Sequence, residues 1–110
     1  HGRCGGVAAA IDSASPLTDS DFIGAWVADL VTLDQRTPAT AASSPEERQR
    51  LIEHLSVQQS LEHLRTFPWI AERERAGSLT LHGAWFDISL GELHALAGNE
   101  WLPQPYDQAG

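Results

Sequence analysis

The sequence predicts an α/β chain with helices first and strands last, and with too few strands to complete a sheet. Apolar residues recur at helical spacing in two long stretches, about 21–33 and 44–64. From Ser78 the pattern switches to strand-like alternation. Prolines and glycines stand where these stretches end. A chain of 110 residues with 42% hydrophobic content can bury roughly two-thirds of its unfolded surface, so a core is within reach.

The elements follow in order. After His1-Gly2-Arg3-Cys4, the run Gly5 to Asp12 is alanine-rich and predicts a short helix, ended by the Ser13–Pro16 segment. Thr18 to Asp21 offers several N-caps with negative charge at a helix start. Phe22, Trp26 and Leu30, beside Ile23, Val27 and Val31, form a wide apolar stripe and predict a helix over 21–33. Gln35 to Ala42 reads as a loop. Ser44-Pro45-Glu46-Glu47 has the form of a capping box with proline at the first helical position. It predicts a long helix to about Leu64, with Leu51, Leu55, Gln58 and Leu61 on one face and Ile52, Val57 and Leu64 widening it. Glu46, Glu47, Arg48 and Arg50 read as a solvated face. Pro68 breaks the helix and restarts it, and Gly77 closes the new one. Ser78–Gly83 alternates, Ala84–Ile88 continues extended, Leu90-Gly91 is a turn, and Glu92–Leu96 returns as a second strand. Ala97–Gly110, with Pro103 and Pro105, reads as a loop or docking arm. Amphipathic helices need a surface to cover, and two strands do not supply one. The expectation is therefore a single partial domain over 1–110, completed by another chain or by an N-terminal half.

Charge narrows the function. Fifteen acids stand against seven arginines, for a net charge of −8. Nucleic-acid binding needs a basic footprint that is not there. No apolar run approaches a membrane span and no signal peptide is visible. The chain begins at His and has no Met, which suggests a processed or excised piece. One cysteine precludes an intrachain disulfide, and the cytoplasm is the default setting.

Most of the chemistry lies in the first six residues. His1 and Cys4 are an imidazole and a thiolate three positions apart. Zinc takes both and prefers four ligands in a tetrahedron. A thiolate at a helix start is favoured by the unpaired N–H groups there, and the Gly5 N–H stands beside any anion on such a metal. Spacing alone leaves open a small buried residue with a histidine that happens to be near. Two ligands do not make a site, so others must come from elsewhere. His82 before Gly83 is open to reading as ligand, proton shuttle or structural residue. His54 and His63, nine apart on the long helix, point different ways and read as solvent-facing. His94 has no evident partner. Asp87 reads as turn or interface structure. No nucleophile elbow, Walker loop or dinucleotide fingerprint is present.

Taken in series, these segments resemble the β-class carbonic anhydrases. His1-x-x-Cys4-Gly5-Gly6 is similar to that family's second metal-binding motif. Ser56 to Ile70, with Leu61, Leu64 and Thr66-Phe67-Pro68-Trp69-Ile70, is similar to its long helix and break. Ala76-Gly77 through Leu81-His82-Gly83-Ala84-Trp85-Phe86-Asp87-Ile88 to Gly91 is similar to its strand and hairpin. The resemblance covers about residues 1–96, leaving 97–110 as a tail.

The resemblance implies the C-terminal part of a fold whose parallel sheet is flanked by helices and ends in hairpin strands. It implies one Zn2+ per subunit, held by His1, Cys4 and a second Cys in a Cys-x-Asp-x-Arg motif. This chain lacks that motif, and with it the Asp/Arg dyad that orients the zinc-bound hydroxide, so no catalytic residue of the family falls within it. The implied reaction is reversible hydration of CO2 to bicarbonate, with the Gly5 N–H contacting the bound anion. A homodimer or homotetramer is implied, and the apolar helices and Glu92–Leu96 fit an intersubunit role. Phe86 stands where some members carry a Tyr of a non-catalytic bicarbonate site, so that inhibitory site is not expected. Two other readings keep the resemblance: a binding module without catalysis, and a zinc hydrolase acting on CS2 or COS.

Overall fold

A computed structural model describes residues 1–12, 24–25 and 27–105. Phe22, Ile23 and Trp26, which carry much of the stripe expected over 21–33, lie outside the described residues, as do the Thr18–Asp21 caps. The chain divides into two compact units, His1–Ser56 and Val57–Gly110, each built differently.

The first unit holds α1 (Gly5–Ile11), α2 (Ala28–Arg36), a 3-10 turn at Ala39–Ala41 and the start of α3 (Pro45–Arg65). Helix α2 runs three residues past the expected end at 33, so Gln35 and Arg36 are helical rather than loop. Helices α1 and α2 pack together, and Val7, Ala10, Val27 and the fully enclosed Ile52 are the buried apolar residues here. Burying one such aliphatic side chain is worth about 1.5–3 kcal/mol.

The start of α3 follows its sequence signal closely. The Glu47 N–H donates to Ser44 Oγ at 3.1 Å. In return Glu47 Oε2 accepts from the Ser43 N–H at 3.0 Å and the Ser43 hydroxyl at 2.6 Å, one residue further back than in the usual reciprocal box. The Ser43 hydroxyl and backbone together hold the Glu47 carboxyl below the usual range.

Arg48 departs from the expected solvated face. Its Nε donates to Asp34 Oδ1 at 2.9 Å, while Nη1 reaches the Pro38 carbonyl at 3.1 Å. Its Nη2 reaches the carbonyls of Asp34 at 2.9 Å and Thr37 at 3.0 Å. These carbonyls lie in the last turn of α2 and just after it, where free acceptor capacity and the helix dipole both favour a cation. A forked guanidinium serves several of them at once. A local reading of a charge cluster does not anticipate partners 10 to 14 residues away.

The second unit begins inside α3. That helix closes with Thr66 N–H to His63 O at 3.1 Å and Phe67 N–H to Leu64 O at 3.2 Å. Pro68 then opens α4 (Pro68–Arg75) from its first turn, where a missing N–H costs nothing. Gly77, at φ 79°, follows the cap. Ser78 N–H to Arg73 O at 3.0 Å and Gly77 N–H to Glu74 O at 3.1 Å complete a Schellman motif. Arg65 grips Glu74 through two bonds of 2.8 and 3.1 Å. Each partner favours the charged form of the other, raising Arg65 and lowering Glu74.

Strands β1 (Ala84–Asp87), β2 (Glu92–Ala97) and β3 (Glu100–Pro103) form an antiparallel sheet in the order β1-β2-β3. Trp85 pairs with His94 and Leu96 with Trp101. Three expectations are corrected here. The sheet among the described residues is antiparallel, not parallel. Its connections are four and two residues long, and parallel neighbours need a crossover of a dozen or more. The supposed tail supplies β3: Gly98-Asn99 is a two-residue hairpin turn with glycine at φ 63°, and Pro103 ends a strand at the sheet's edge, where no donor is required. Ser78–Gly83 is not strand, because among the described residues no ladder pairs with it; only the Gly83 carbonyl joins in, accepting from the Leu96 N–H at 2.9 Å.

Asp87 is the turn residue its position suggested. Buried at the end of β1, it accepts from the Ser89 N–H at 2.9 Å, the Ser89 hydroxyl at 2.6 Å and the Leu90 N–H at 3.3 Å. Gly83 marks a close approach. A Cβ there would lie 3.1 Å from both Leu61 and Val57 and 3.3 Å from Leu96, so a side chain would push strand from helix. Trp85, 3% exposed, is the main core aromatic of the unit.

Candidate metal centre

The His-x-x-Cys segment is shaped by its backbone. His1 is exposed, and its ring Nδ1 donates to the Gly2 carbonyl at 2.9 Å. With Nδ1 protonated, Nε2 carries the lone pair. Zinc-binding histidines show the same arrangement, one nitrogen spent on an acceptor and the other on metal. Gly2 is buried. Arg3 takes φ 54°, the left-handed region that side chains other than glycine seldom enter. Cys4 returns to extended geometry as N-cap of α1, and its carbonyl accepts the Ala8 N–H at 3.0 Å. The thiol is free and half-buried. A Cβ on Gly6 would lie 3.8 Å from Cys4 Sγ, while Gly5 faces open space.

Helix α3 holds Cys4 from one side. Glu53 Oε2 accepts the Cys4 N–H at 3.0 Å, and Gln49 Nε2 donates to the Cys4 carbonyl at 3.1 Å. Gln49 Nε2 also donates to Glu53 Oε2 at 3.0 Å. The two side chains, four apart on one helix face, thus grip both backbone groups of a single residue. Glu53 is 4% exposed. A carboxylate so enclosed is stable only with donors around it, and the Cys4 N–H is one of them.

Of the remaining histidines, His54 lies in the first unit, and His63, His82 and His94 in the second. His63 and His82 are exposed, and His54 is half-buried rather than solvent-facing. His94 lies on β2 edge-on to Trp85, ring centroids 5.2 Å apart, with Nε2 2.8 Å from Glu92 Oε1 but out of hydrogen-bond alignment. Among the described residues no group of three or more His, Cys, Asp or Glu side chains is gathered to hold a metal. His1 and Cys4 therefore fit part of a zinc site, two donors of the correct chemistry, and not a complete one. Glu53 and Gln49 carry no sequence motif. Their one trace is polarity in a row, 49, 53, 57, 61, that is otherwise apolar.

The family model for carbonic anhydrase matches residues 1–93. The chain belongs to the β-carbonic anhydrase family. It is 35% identical over 89 residues to Beta carbonic anhydrase 5, chloroplastic, of Arabidopsis thaliana, covering 80% of this chain and 30% of that protein. It is 30% identical over 91 residues to Beta carbonic anhydrase 6, mitochondrial, of the same plant, covering 81% and 31%. The chain thus spans under a third of the length of these β-carbonic anhydrases. No solved structure matches it. Among the described residues no helix is long and apolar enough to cross a membrane. The compartments in the relatives' names are organellar, so membership of this family does not carry the cytoplasmic expectation with it.

Proposed function

We propose that this chain carries the His-x-x-Cys half of the zinc site of a β-carbonic anhydrase acting in the reversible hydration of CO2 to bicarbonate. The observation that supports it is the family match beginning at His1, where Nε2 of His1 and the free thiol of Cys4 stand in one turn at the start of α1. In this reading His1 and Cys4 hold Zn2+, and the Gly5 N–H faces the substrate anion. Zinc, when bound, brings the pKa of its water to about 7 and so makes a nucleophile available at neutral pH. The chain's own residues bind and orient: Gly2 O fixes the His1 tautomer, and the Cys4 backbone sets the thiolate. The remaining thiolate and the Asp/Arg pair come from a Cys-x-Asp-x-Arg segment, which this sequence does not contain. A reducing setting such as the cytoplasm keeps Cys4 available as a thiol.

The same reading places the protein in a homodimer or homotetramer. On the sheet, Phe86 and Leu93 pair across β1 and β2 on one face and both are exposed, with Leu102 on β3 exposed as well, an apolar face suited to a second copy.

The test is CO2 hydration followed by stopped flow with zinc supplied. The chain alone should match buffer, since two protein ligands do not preform a site. Adding a polypeptide that carries the Cys-x-Asp-x-Arg part of a relative should raise the rate, and His1→Ala or Cys4→Ser should remove the gain. Catalysis that survives both substitutions would overturn the reading.

A further inference from the structure

We propose that Gln49 and Glu53 are positioning residues for Cys4, a two-point clamp on its backbone that fixes where the thiolate points. The proposal rests on the reading of Cys4 as a metal ligand. Its own evidence is the closed ring of bonds: Cys4 N–H to Glu53 at 3.0 Å, Glu53 to Gln49 at 3.0 Å and Gln49 to the Cys4 carbonyl at 3.1 Å.

Three features set this ring apart from ordinary helix capping. First, it is long-range. The partners are 45 and 49 residues from Cys4, so the contact links α1 to α3 through polar atoms at the residue that carries the sulfur. Second, it involves both backbone groups of that residue. One bond would leave Cys4 able to rotate about the contact, whereas two on opposite sides of the Cα define the direction of the Cα–Cβ bond. Third, it compensates for weak local control. The preceding Arg3 holds a left-handed φ of 54°, a conformation that persists only where surroundings enforce it. No side-chain cap ties Cys4 to α1. The glycines that follow add little stiffness. A ligand between a strained residue and two glycines needs holding from outside, and α3 supplies that hold with a carboxylate that is itself buried.

The clamp differs from a purely structural bridge in what it should control. A bridge that only joins two helices can be lost with a fall in stability and no change in metal binding while the fold persists. A positioning clamp, once lost, widens the range of sulfur positions, and metal affinity falls in a folded chain. Supporting groups of this kind typically account for about 10–100-fold in metal affinity.

Because Cys4 is the sole cysteine, thiolate-to-cobalt absorption reports on this residue alone. The experiment titrates Co2+ into the 110-residue chain and its variants, with circular dichroism and amide hydrogen exchange run in parallel. Absorption should appear in the unsubstituted chain at a Co2+ excess large enough to fill a weak two-donor site, and vanish in Cys4→Ser. Glu53→Leu and Gln49→Met should weaken Co2+ binding at least about 10-fold, with helix content kept and faster exchange at the Cys4 amide. Glu53→Gln retains a carbonyl oxygen able to accept both bonds and should bind nearly as well as the unsubstituted chain. If Glu53→Leu unfolds, Gln49→Met, at a half-buried position, carries the same expectation. Absorption in the unsubstituted chain with unchanged affinity in folded Gln49→Met overturns the clamp and leaves the ligand reading in place. Absence of absorption even at that excess removes the ligand reading, and the clamp's purpose with it.

Discussion

The two units hold themselves together by different means. In His1–Ser56, long polar side chains of α3 reach backbone groups far away in sequence: Arg48 serves carbonyls at the end of α2 and just beyond it, and Gln49 and Glu53 serve Cys4. In Val57–Gly110, neighbours in sequence pair directly, through a Schellman motif, two short hairpin turns and a ladder, over one large buried aromatic. The first arrangement places a residue by reference to a helix distant in sequence and depends on a few side chains. The second depends on many similar bonds and on apolar volume.

The contrast can be broken most severely at Trp85. Replacing it with alanine empties the centre of the second unit and should cost about 3–5 kcal/mol, read as a lower urea midpoint and lost amide protection in β1 and β2. A loss well under this would mean that the ladder, not the apolar volume, holds that unit. Arg48→Ala tests the other mode. It removes the Arg48 donors to the Asp34 carboxylate and the Thr37 carbonyl, and one of two donors to the carbonyls of Asp34 and Pro38, and should cost about 1–3 kcal/mol, with protection lost at the end of α2. Arg48→Lys should recover only part, because a single ammonium does not span the same acceptors. Recovery equal to wild type would reduce Arg48 to a simple charge at a helix end.

The smallest effect separates neither unit from the other, and it is useful for that reason. Glu47 in the first and Glu74 in the second both have carboxyls held below the usual range, by Ser43 and Arg65 respectively. A depressed folded pKa gives stability that is fully present above the unfolded value, about 4.3, and is lost as pH falls through the folded value. Both groups are exposed and screened, so the contribution is modest. Urea midpoints taken from about pH 6 to about pH 3 should fall, and Glu47→Gln with Glu74→Gln should flatten that fall. An unaltered slope in the double variant would assign the acid sensitivity to other carboxylates.

Legibility in the sequence follows the same division. Signals that act within a few residues could be read: the Ser44-Pro45 start of α3, the Pro68 restart, Gly77 as a helix stop and Leu90-Gly91 as a turn. The family likewise was legible, since it rests on ordered short motifs. Gly98-Asn99 is a turn signal masked by the prolines at 103 and 105, which read as loop although an edge strand tolerates what a central one does not. Ser78–Gly83 alternates but is not strand, since alternation specifies a face and not a partner. Arg48, Gln49 and Glu53 could not be read at all. Their roles depend on which distant backbone groups the fold brings near, and a polar residue on a helix looks the same whether it meets water or a carbonyl.

The residues between His1 and Cys4 are more than spacing. Gly2 is enclosed, while Arg3, its side chain exposed, adopts a backbone form that disfavours any L-residue by roughly 1–2 kcal/mol. A pattern written as His-x-x-Cys counts positions and ignores handedness. Valine at position 3 would satisfy the letters, yet its branched side chain is poorly suited to the twist that brings the chain round into Cys4, whereas glycine or asparagine would adopt it readily. His1 and Cys4 are therefore joined by a turn of fixed hand, and a search for the pattern by spacing alone will admit sequences that make that turn less readily.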